Sequence, residues 1–286
     1  MSVRQIRREY RAQPTLEGAG VRLSRVFGYH QVPDFDPFLL LDHFGSDNPD
    51  DYMAGFPWHP HRGIETVTYM IAGEVEHGDS IGNKGVIRSG DVQWMTAGGG
   101  ILHQEMPQRY EGTMNGLQLW VNLPASEKMT DPRYRDVLAG QIPALDVADG
   151  VRVKVLSGEV DGRSGPVHDL VVSTEYLDVE LEPGRTFAHP VAPGWTVFGY
   201  VRAGSASMAP SAEQETRART AALFADGDSV RITAGSQGAS FVLVSGTPLG
   251  EKVAWGGPIV MNTEKELDLA FRELEQGTFI KHGQRE

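Results

Sequence analysis

Two pairs of polar side chains, each with its members two residues apart, are the part of the sequence best suited to chemistry. His59 and His61 form the first pair, in the stretch FPWHPHRG, and His103 and Glu105 form the second, in GGGILHQEMP. In a β-strand, residues i and i+2 point to the same face of the sheet. If the two strands face each other, three imidazoles and one carboxylate converge on one point. Such a set of ligands suits a first-row transition metal.

The alternative is that both pairs are unrelated polar positions on solvated strand faces. A single His-x-His motif is weak evidence for a metal site, because many surface strands contain one without binding a ligand. Two matched pairs strengthen the metal interpretation, but the residues by themselves leave both interpretations open. The chain contains no cysteine. Any metal must therefore have nitrogen and oxygen ligands, and disulfides and cysteine nucleophiles are excluded.

Length and charge narrow the classes of function. The 286 residues are enough for one large domain or two ordinary ones. The formal net charge of -12 argues against direct electrostatic binding of nucleic acid. The N-terminal stretch MSVRQIRREYRAQ has no apolar run behind it, and no stretch is long and apolar enough to cross a bilayer. We therefore expect a cytoplasmic protein that binds neither nucleic acid directly nor a membrane.

Short strand-like segments closed by glycine or proline recur along the chain and predict an all-β sandwich or barrel. The clearest segments are 66–73, 85–98, 116–124, 151–158, 169–184, 195–204, 228–235 and 239–246. Two other segments have helical character. Residues 126–137 begin with Ser126 as a candidate N-cap. Residues 262–277 have Asn262 or Thr263 as candidate caps, Gly277 at the end, and an apolar face formed by Leu267, Ala270, Phe271 and Leu274.

The two halves of the chain share a weak repeat, which predicts two domains. Residues 56–98 and 182–235 each contain a turn, a strand that ends in glycine, and a Gly-Asp turn that opens another strand. We place the boundary so that an N-terminal domain covers residues 1–140 and a C-terminal domain with the C-terminal helix covers residues 141–286. The second copy retains His189 but has no histidine pair. One metal, in the first half, is therefore expected.

Several stretches resemble the pirin family of the cupin superfamily. The most specific are FPWHPHRGIETVTYMIAGEVEHGDS, GDVQWMTAGGGILHQEMP and GLQLWVNLP, and the stretches DPFLLLDHFG and GGPIVMNTEKEL resemble the first and last signatures of that family. The resemblance covers nearly the whole chain. It implies a bicupin, with two antiparallel β-barrel (jelly-roll) domains. One metal, usually iron, then lies in the N-terminal barrel, and the C-terminal barrel is degenerate.

The resemblance also implies the identity of the ligands. The family's ligand positions correspond to His59, His61, His103 and Glu105 of this sequence. The general cupin pattern places a glutamate four residues after its second histidine, where Glu65 stands. In pirins the carboxylate follows the third histidine, so Glu105 is the expected ligand. Three further residues are then candidates for orienting a metal-binding side chain without contacting the metal, namely Glu65, Asp42 and His43.

The glycines at 98–100 precede the second pair and have two possible roles. They could form a phosphate-binding loop, but no P-loop lysine follows them. We therefore expect a sharp turn that delivers His103 into the barrel.

Two classes of function follow from the resemblance. In the first, the protein is an enzyme with quercetin 2,3-dioxygenase-like activity, because some pirins open flavonol rings and release carbon monoxide. Its cofactor is then one transition metal ion, with Fe²⁺ expected, and its partners are O₂ and a small aromatic or enol substrate. Glu105 serves as both ligand and general base. In the second, the protein is a metal- or redox-responsive regulator whose partner is a transcription factor or a metabolic enzyme.

Overall fold

The computed structural model describes residues 2–210 and 215–281, and β-strands dominate them. In chain order the strands are β1 (Ile6–Arg11), β2 (Gln13–Glu17), β3 (Val21–Phe27), β4 (Phe38–Ser46), β5 (Phe56–His61), β6 (Ile64–Ala72), β7 (Glu74–Asp79), β8 (Lys84–Arg88), β9 (Val92–Thr96), β10 (Ile101–Pro107), β11 (Met114–Asn122), β12 (Arg133–Val137), β13 (Ala144–Ala148), β14 (Val151–Ser157), β15 (Glu159–Val160), β16 (Arg163–Ser164), β17 (Thr174–Leu181), β18 (Thr186–Pro190), β19 (Thr196–Ser207), β20 (Thr216–Arg217), β21 (Thr220–Phe224), β22 (Ser229–Gly246), β23 (Ala254–Gly256) and β24 (Ile259–Met261). The α-helices are α1 (Val32–Phe35) and α2 (Glu264–Glu275), and three short 3₁₀ helices are formed by Tyr29–Gln31, Pro49–Asp51 and Ala139–Gln141. The predicted all-β class is confirmed.

The chain forms two compact units. Unit A contains the chain up to Gln13, Pro33–Pro37 and Gly140–Pro248. Its main sheet has nine strands, in the order β1-β21-β19-β22-β17-β14-β13, with β18 paired to β22 and β20 paired to β19. Alternate residues of these strands supply a core of valine, leucine, isoleucine and phenylalanine side chains. The segments 228–235 and 239–246, predicted as two strands, are one long strand, β22.

Unit B contains Pro14–Val32, Phe38–Ala139 and the chain from Leu249 onward. One sheet has seven strands in the order β12-β9-β6-β11-β4-β3-β2, and a second has four in the order β5-β10-β7-β8. All of the predicted ligand positions are on β5 and β10, which are neighbours in the smaller sheet. The residues that position the candidate site are therefore found within this unit.

The prediction of a helix over residues 126–137 is wrong. A turn follows β11, and Arg133–Val137 forms β12, which pairs antiparallel with β9 so that Tyr134 lies opposite Met95. Pro132 explains the difference, because it disfavours helical geometry at the preceding residue and has no N–H for a helical hydrogen bond. Residues 133–137 instead find their backbone hydrogen-bond partners on β9, at the edge of the seven-stranded sheet.

The C-terminal helix is present with the predicted cap, but of its predicted apolar face only Leu267 and Ala270 are buried, and Phe271 is exposed. Thr263 is the N-cap, and it exchanges hydrogen bonds with Glu266 in a capping box. Leu267 and Ala270 are buried and belong to a cluster with Ile259, Met261 and Phe279. The helix thus packs within unit B. The predicted domain boundary near residue 140 stays a prediction. Among the helices of the described residues, none has both the length and the apolar character needed to span a membrane.

We expect Gly63→Ala to destabilise unit B more than Gly277→Ala does. Both glycines have positive φ angles, +77° and +69°, which cost an alanine about 1–3 kcal/mol. At Gly63 an added Cβ would also lie 1.9 Å from the carbonyl oxygen of Val260, whereas at Gly277 it would meet nothing within 4 Å. Urea unfolding followed by tryptophan fluorescence measures the difference, because four of the five tryptophans belong to unit B. Equal losses of unfolding free energy in the two variants would contradict the steric argument.

Candidate metal site

Adjacent antiparallel strands bring the predicted histidines together. His59 and His61 are on β5, and the register places His103 of β10 directly opposite His59. The ligand nitrogens of the three side chains all lie within 4.8 Å of one another. The ring centroid of His103 is 4.3 Å from that of His59 and 4.9 Å from that of His61. The three imidazoles therefore face a common point, as the alternation of side chains along a strand requires.

Hydrogen bonds to backbone carbonyls orient two of the imidazoles. Nδ1 of His59 donates to the carbonyl oxygen of Pro57 at 2.9 Å, and Nδ1 of His61 donates to that of Pro258 at 3.0 Å. Since a carbonyl oxygen only accepts, each Nδ1 holds the ring proton and each Nε2 presents a lone pair. The two Nε2 atoms are 3.1 Å apart. Nε2 of His103 is buried without a hydrogen-bond partner among the described residues. These donor atoms fit a bound cation.

Burial keeps the three imidazoles neutral. Burial, followed by repulsion from His59, lowers the pKa of His61 to about 3. Burial also holds the pKa of His103 well below its ordinary value, with smaller contributions from the other histidines. The pKa of His59 is lowered by burial too, against the opposing effect of the Pro57 carbonyl. Because the neutral imidazole is the form that binds metals, no proton has to leave these side chains at neutral pH.

Glu105 lies on the same strand, outside the three-histidine cluster. The register of β10 against β5 shifts between His103 and Glu105, so that Glu105 lies opposite Phe56. Its Oε1 accepts a hydrogen bond from the hydroxyl of Thr68 at 3.0 Å, and that hydroxyl is 2.7 Å from Oε1 of Gln118. Burial raises the pKa of Glu105 to about 7, opposed by the Thr68 hydrogen bond. Glu105 lines the same cavity as His59 and His61, and its role as ligand and base stays a prediction.

A cavity of about 680 Å³ opens onto His59 and His61. Its wall is rich in aromatic side chains, namely Tyr29, Phe44, Tyr52, Phe56, Trp58, Trp120 and Trp255. The ring of Trp120 is 5.0 Å from that of His61, and the ring of Trp255 is 5.9 Å from that of Trp120. A mostly apolar pocket of this size with a few convergent polar groups suits a small organic ligand.

The other candidate supporting residues have different partners. Asp42 is on the cavity wall, where its carboxylate accepts two hydrogen bonds from Arg25 at 2.9 and 2.8 Å. Burial raises the pKa of Asp42 to about 6, against the opposing charge of Arg25. Nε2 of His43 is 2.8 Å from Oδ1 of Asn115. Glu65 is buried and accepts hydrogen bonds from Trp94 and Thr96. These contacts join strands of the seven-stranded sheet in unit B.

The glycine turn before His103 is present, with φ angles of +49° at Gly98 and +137° at Gly100. Sequence reasoning missed the residue that fastens this turn, Arg62, whose side chain is 2% exposed. Its Nε donates to the carbonyl oxygen of Gly99 at 2.8 Å, and its terminal nitrogens donate to Glu273 and to the Phe279 carbonyl oxygen at 2.8 and 2.7 Å. The sequence does show a charged residue directly after the candidate ligand His61. It does not show the partners of Arg62, because they are far away in the sequence.

Comparison with known proteins agrees with this geometry. Residues 20–121 match the family model for pirin, and residues 176–280 match that for the pirin C-terminal cupin domain. A pirin-like protein from Caulobacter vibrioides is 43% identical over 280 residues, which are 98% of this chain and 100% of that protein. The chain belongs to the pirin family. Human pirin is 43% identical over 267 residues, 91% of this chain and 90% of that protein.

A solved structure confirms the architecture of this pirin. The crystal structure of a quercetin 2,3-dioxygenase from Acinetobacter baumannii superposes with a TM-score of 0.90 and is 32% identical. The match covers 97% of this chain and 99% of that one. The predicted bicupin fold with a short C-terminal helix is therefore confirmed, as is the resemblance from which it was predicted.

We expect the metal-free wild type to lose stability relative to Glu105→Gln as the pH rises from 4.5 to about 7. The buried carboxyl keeps its proton up to about pH 7 in the folded protein but loses it near pH 4.5 when unfolded. The folded state thus binds more protons in this window, so raising the pH favours unfolding, whereas glutamine does not titrate. The relative loss reaches up to about 3 kcal/mol. Urea unfolding of both proteins at several pH values measures it, and parallel curves would show that the carboxyl titrates normally.

We expect His61→Ala to remove most of the bound metal and to leave the fold largely intact. The substitution deletes one lone pair of the cluster, whereas two large β domains do not depend on one ion for their stability. Elemental analysis after metal loading measures the content, and circular dichroism measures the fold. His30→Ala is the matched control, because His30 is exposed and outside the cluster. Full metal content in the His61 variant, or a completely unfolded variant, would contradict the expectation.

Proposed function

We propose that this pirin is a mononuclear metal-dependent dioxygenase that opens the ring of a flavonol or a related enol or catechol-like compound. The single observation that supports the proposal best is the set of three converging imidazole nitrogens at an aromatic cavity of about 680 Å³. The structural relative from A. baumannii has the name quercetin 2,3-dioxygenase. In the proposed reaction both atoms of O₂ enter the opened product and one ring carbon leaves as carbon monoxide.

The proposed ligands are His59, His61, His103 and Glu105. The buried, unpartnered Nε2 of His103 supports this choice, and so does the position of Glu105 in the same cavity. Neutral imidazoles with one carboxylate suit Fe²⁺, which we propose as the native metal. When bound, such a metal polarises the substrate oxygen and supplies the one-electron chemistry that O₂ requires.

Glu105 is the proposed general base. A flavonol reacts with O₂ as its electron-rich enolate, so the enolic hydroxyl must first lose a proton. Burial raises the pKa of Glu105 to about 7 in the metal-free protein, and the charge of a bound cation would lower it from there. The Thr68 hydroxyl binds Oε1. We propose that one oxygen of the Glu105 carboxylate binds the metal and that the other takes the proton.

The aromatic wall has a binding role in this proposal. Trp120 and Trp255 extend from His61 along one side of the cavity. Their flat faces offer large apolar area and offset stacking to a planar ring system.

We expect Glu105→Gln to lower ring opening far more than it lowers metal content. An amide oxygen still coordinates weakly, but it cannot accept the substrate proton, and loss of a general base costs on the order of 10²- to 10⁴-fold in rate. The measurement is carbon monoxide release from quercetin per bound metal. Glu76→Gln is the control, because Glu76 is exposed on the adjacent strand β7.

Equal rates per metal in wild type and Glu105→Gln would remove Glu105 from the chemistry and leave it as a ligand alone. A wild-type protein that binds metal but releases no carbon monoxide from any flavonol would overturn the proposed activity.

A further inference from the structure

We propose that the C-terminal segment from Pro258 to Phe279 positions the metal-binding histidines, and that Arg62 joins this segment to both histidine strands. The inference rests on the metal site proposed above and concerns how tightly that site holds its ion. Four groups of contacts, all within unit B, support it.

The first contact is on a histidine itself. The carbonyl oxygen of Pro258 accepts the Nδ1 proton of His61 at 3.0 Å. Such a hydrogen bond fixes the tautomer and the ring orientation of a ligand histidine, so that Nε2 faces the metal position. A residue nearly two hundred positions downstream in the sequence thus sets the direction of one lone pair.

The second group of contacts holds Pro258 in place. Ile259 forms a parallel bridge with Arg62, and the N–H of Val260 donates to the Arg62 carbonyl oxygen at 3.1 Å. The ammonium group of Lys128 is buried and donates to the carbonyl oxygens of Gly63 and Val260 at 2.9 and 3.0 Å. The C-terminal segment is therefore fastened to the two residues that directly follow His61.

The third group joins the two histidine strands to each other. Nε of Arg62 donates to the Gly99 carbonyl oxygen at 2.8 Å. The N–H of Gly63 donates to the Gly98 carbonyl oxygen, also at 2.8 Å. These bonds tie the end of β5 to the turn that leads into β10. The spacing between His61 and His103 is therefore linked to the placement of the Arg62 guanidinium.

The fourth group places that guanidinium, and it comes from the C-terminal segment. Glu273 on α2 accepts a hydrogen bond from Arg62 at 2.8 Å, and the Phe279 carbonyl oxygen accepts another at 2.7 Å. The guanidinium also lies 4.2 Å from the centroid of the Phe279 ring. A buried cation without its counter-ion is strongly unfavourable. Arg62 can therefore stay between β5 and β10 only while the segment is docked.

The competing explanation is that the segment merely covers apolar surface, since Leu267, Ala270 and Phe279 are buried together. The two explanations differ in what Glu273 does. If the helix only covers the core, replacing Glu273 changes the stability of the protein and leaves the metal affinity of the folded protein unchanged. If the segment positions the histidines, the metal affinity and the geometry of the bound ion change as well.

The test compares Glu273→Gln with Glu275→Gln in the full-length chain. Both substitutions remove one negative charge from α2, but Glu275 is exposed. Co²⁺ is titrated into the metal-free proteins in competition with a chelator, its visible absorption is recorded, and urea unfolding of the metal-free proteins measures stability. We expect Glu273→Gln to weaken Co²⁺ binding about 10-fold, as loss of a ligand-supporting contact does, and to shift the absorption bands. Glu275→Gln should match the wild type.

If Glu273→Gln has the same Co²⁺ affinity and spectrum as Glu275→Gln, the inference is overturned, even if Glu273→Gln is the less stable of the two. If Glu273→Gln does not fold, Glu273→Asp, which keeps the charge on a shorter side chain, decides by the same two readouts. A wild-type protein that binds no Co²⁺ would overturn this inference and the metal site together. Co²⁺ binding that depends on Glu273, with no carbon monoxide release by the iron-loaded protein, would overturn only the proposed dioxygenase activity.

Discussion

The structure around the candidate site depends on one electrostatic condition, three neutral imidazole rings that face one another with little access to water. The Nε2 lone pairs of His59 and His61 repel each other at 3.1 Å, and Nε2 of His103 has no hydrogen-bond partner among the described residues. Two of the rings are held in place from behind by backbone carbonyls, that of Pro57 for His59 and that of Pro258 for His61. The same burial that keeps the histidines neutral also favours the protonated form of Glu105. A cation of matching size would satisfy the three imidazoles at once.

Sheet geometry explains why two short strands are enough to build this centre. β5 and β10 are neighbours, so the pairs at i and i+2 on each strand share one face and the register brings His59 opposite His103. Register in a sheet is sensitive, because a slip of one residue would turn every side chain to the other face. The glycine turn before β10 and the Arg62 hydrogen bond to Gly99 are the contacts that hold this register at the site. Contacts far from the cavity therefore bear on the geometry at its centre.

The parts of the fold and site that could be predicted from sequence are those whose cause is local. Side-chain alternation in a strand predicted the His59 and His61 pair, and a cap, an apolar face and a terminal glycine predicted the helix at 262–277. The position of Glu105 outside the three-histidine cluster leaves no local trace. The same holds for the support of His61 by Pro258, because the contact joins residues far apart in sequence. The helix predicted over residues 126–137 is absent for a local reason, because Pro132 interrupts the segment that Ser126 would cap.

Two buried glutamates near the site show how surroundings, rather than residue type, assign a role. Glu65 stands where a general cupin pattern would place a ligand, but Oε1 accepts a hydrogen bond from the Thr96 hydroxyl and Oε2 accepts one from the Trp94 indole, at 2.6 and 2.9 Å. Both of its oxygens are therefore engaged in holding β6 against β9, and freeing either one would leave a buried donor unpaired. Glu105 accepts one bond from Thr68 at Oε1 and lines the cavity beside His59 and His61. A carboxyl that must exchange a proton or bind a metal needs an oxygen that does not already accept a structural hydrogen bond. Of these two glutamates, the hydrogen bonds therefore favour Glu105 for that role.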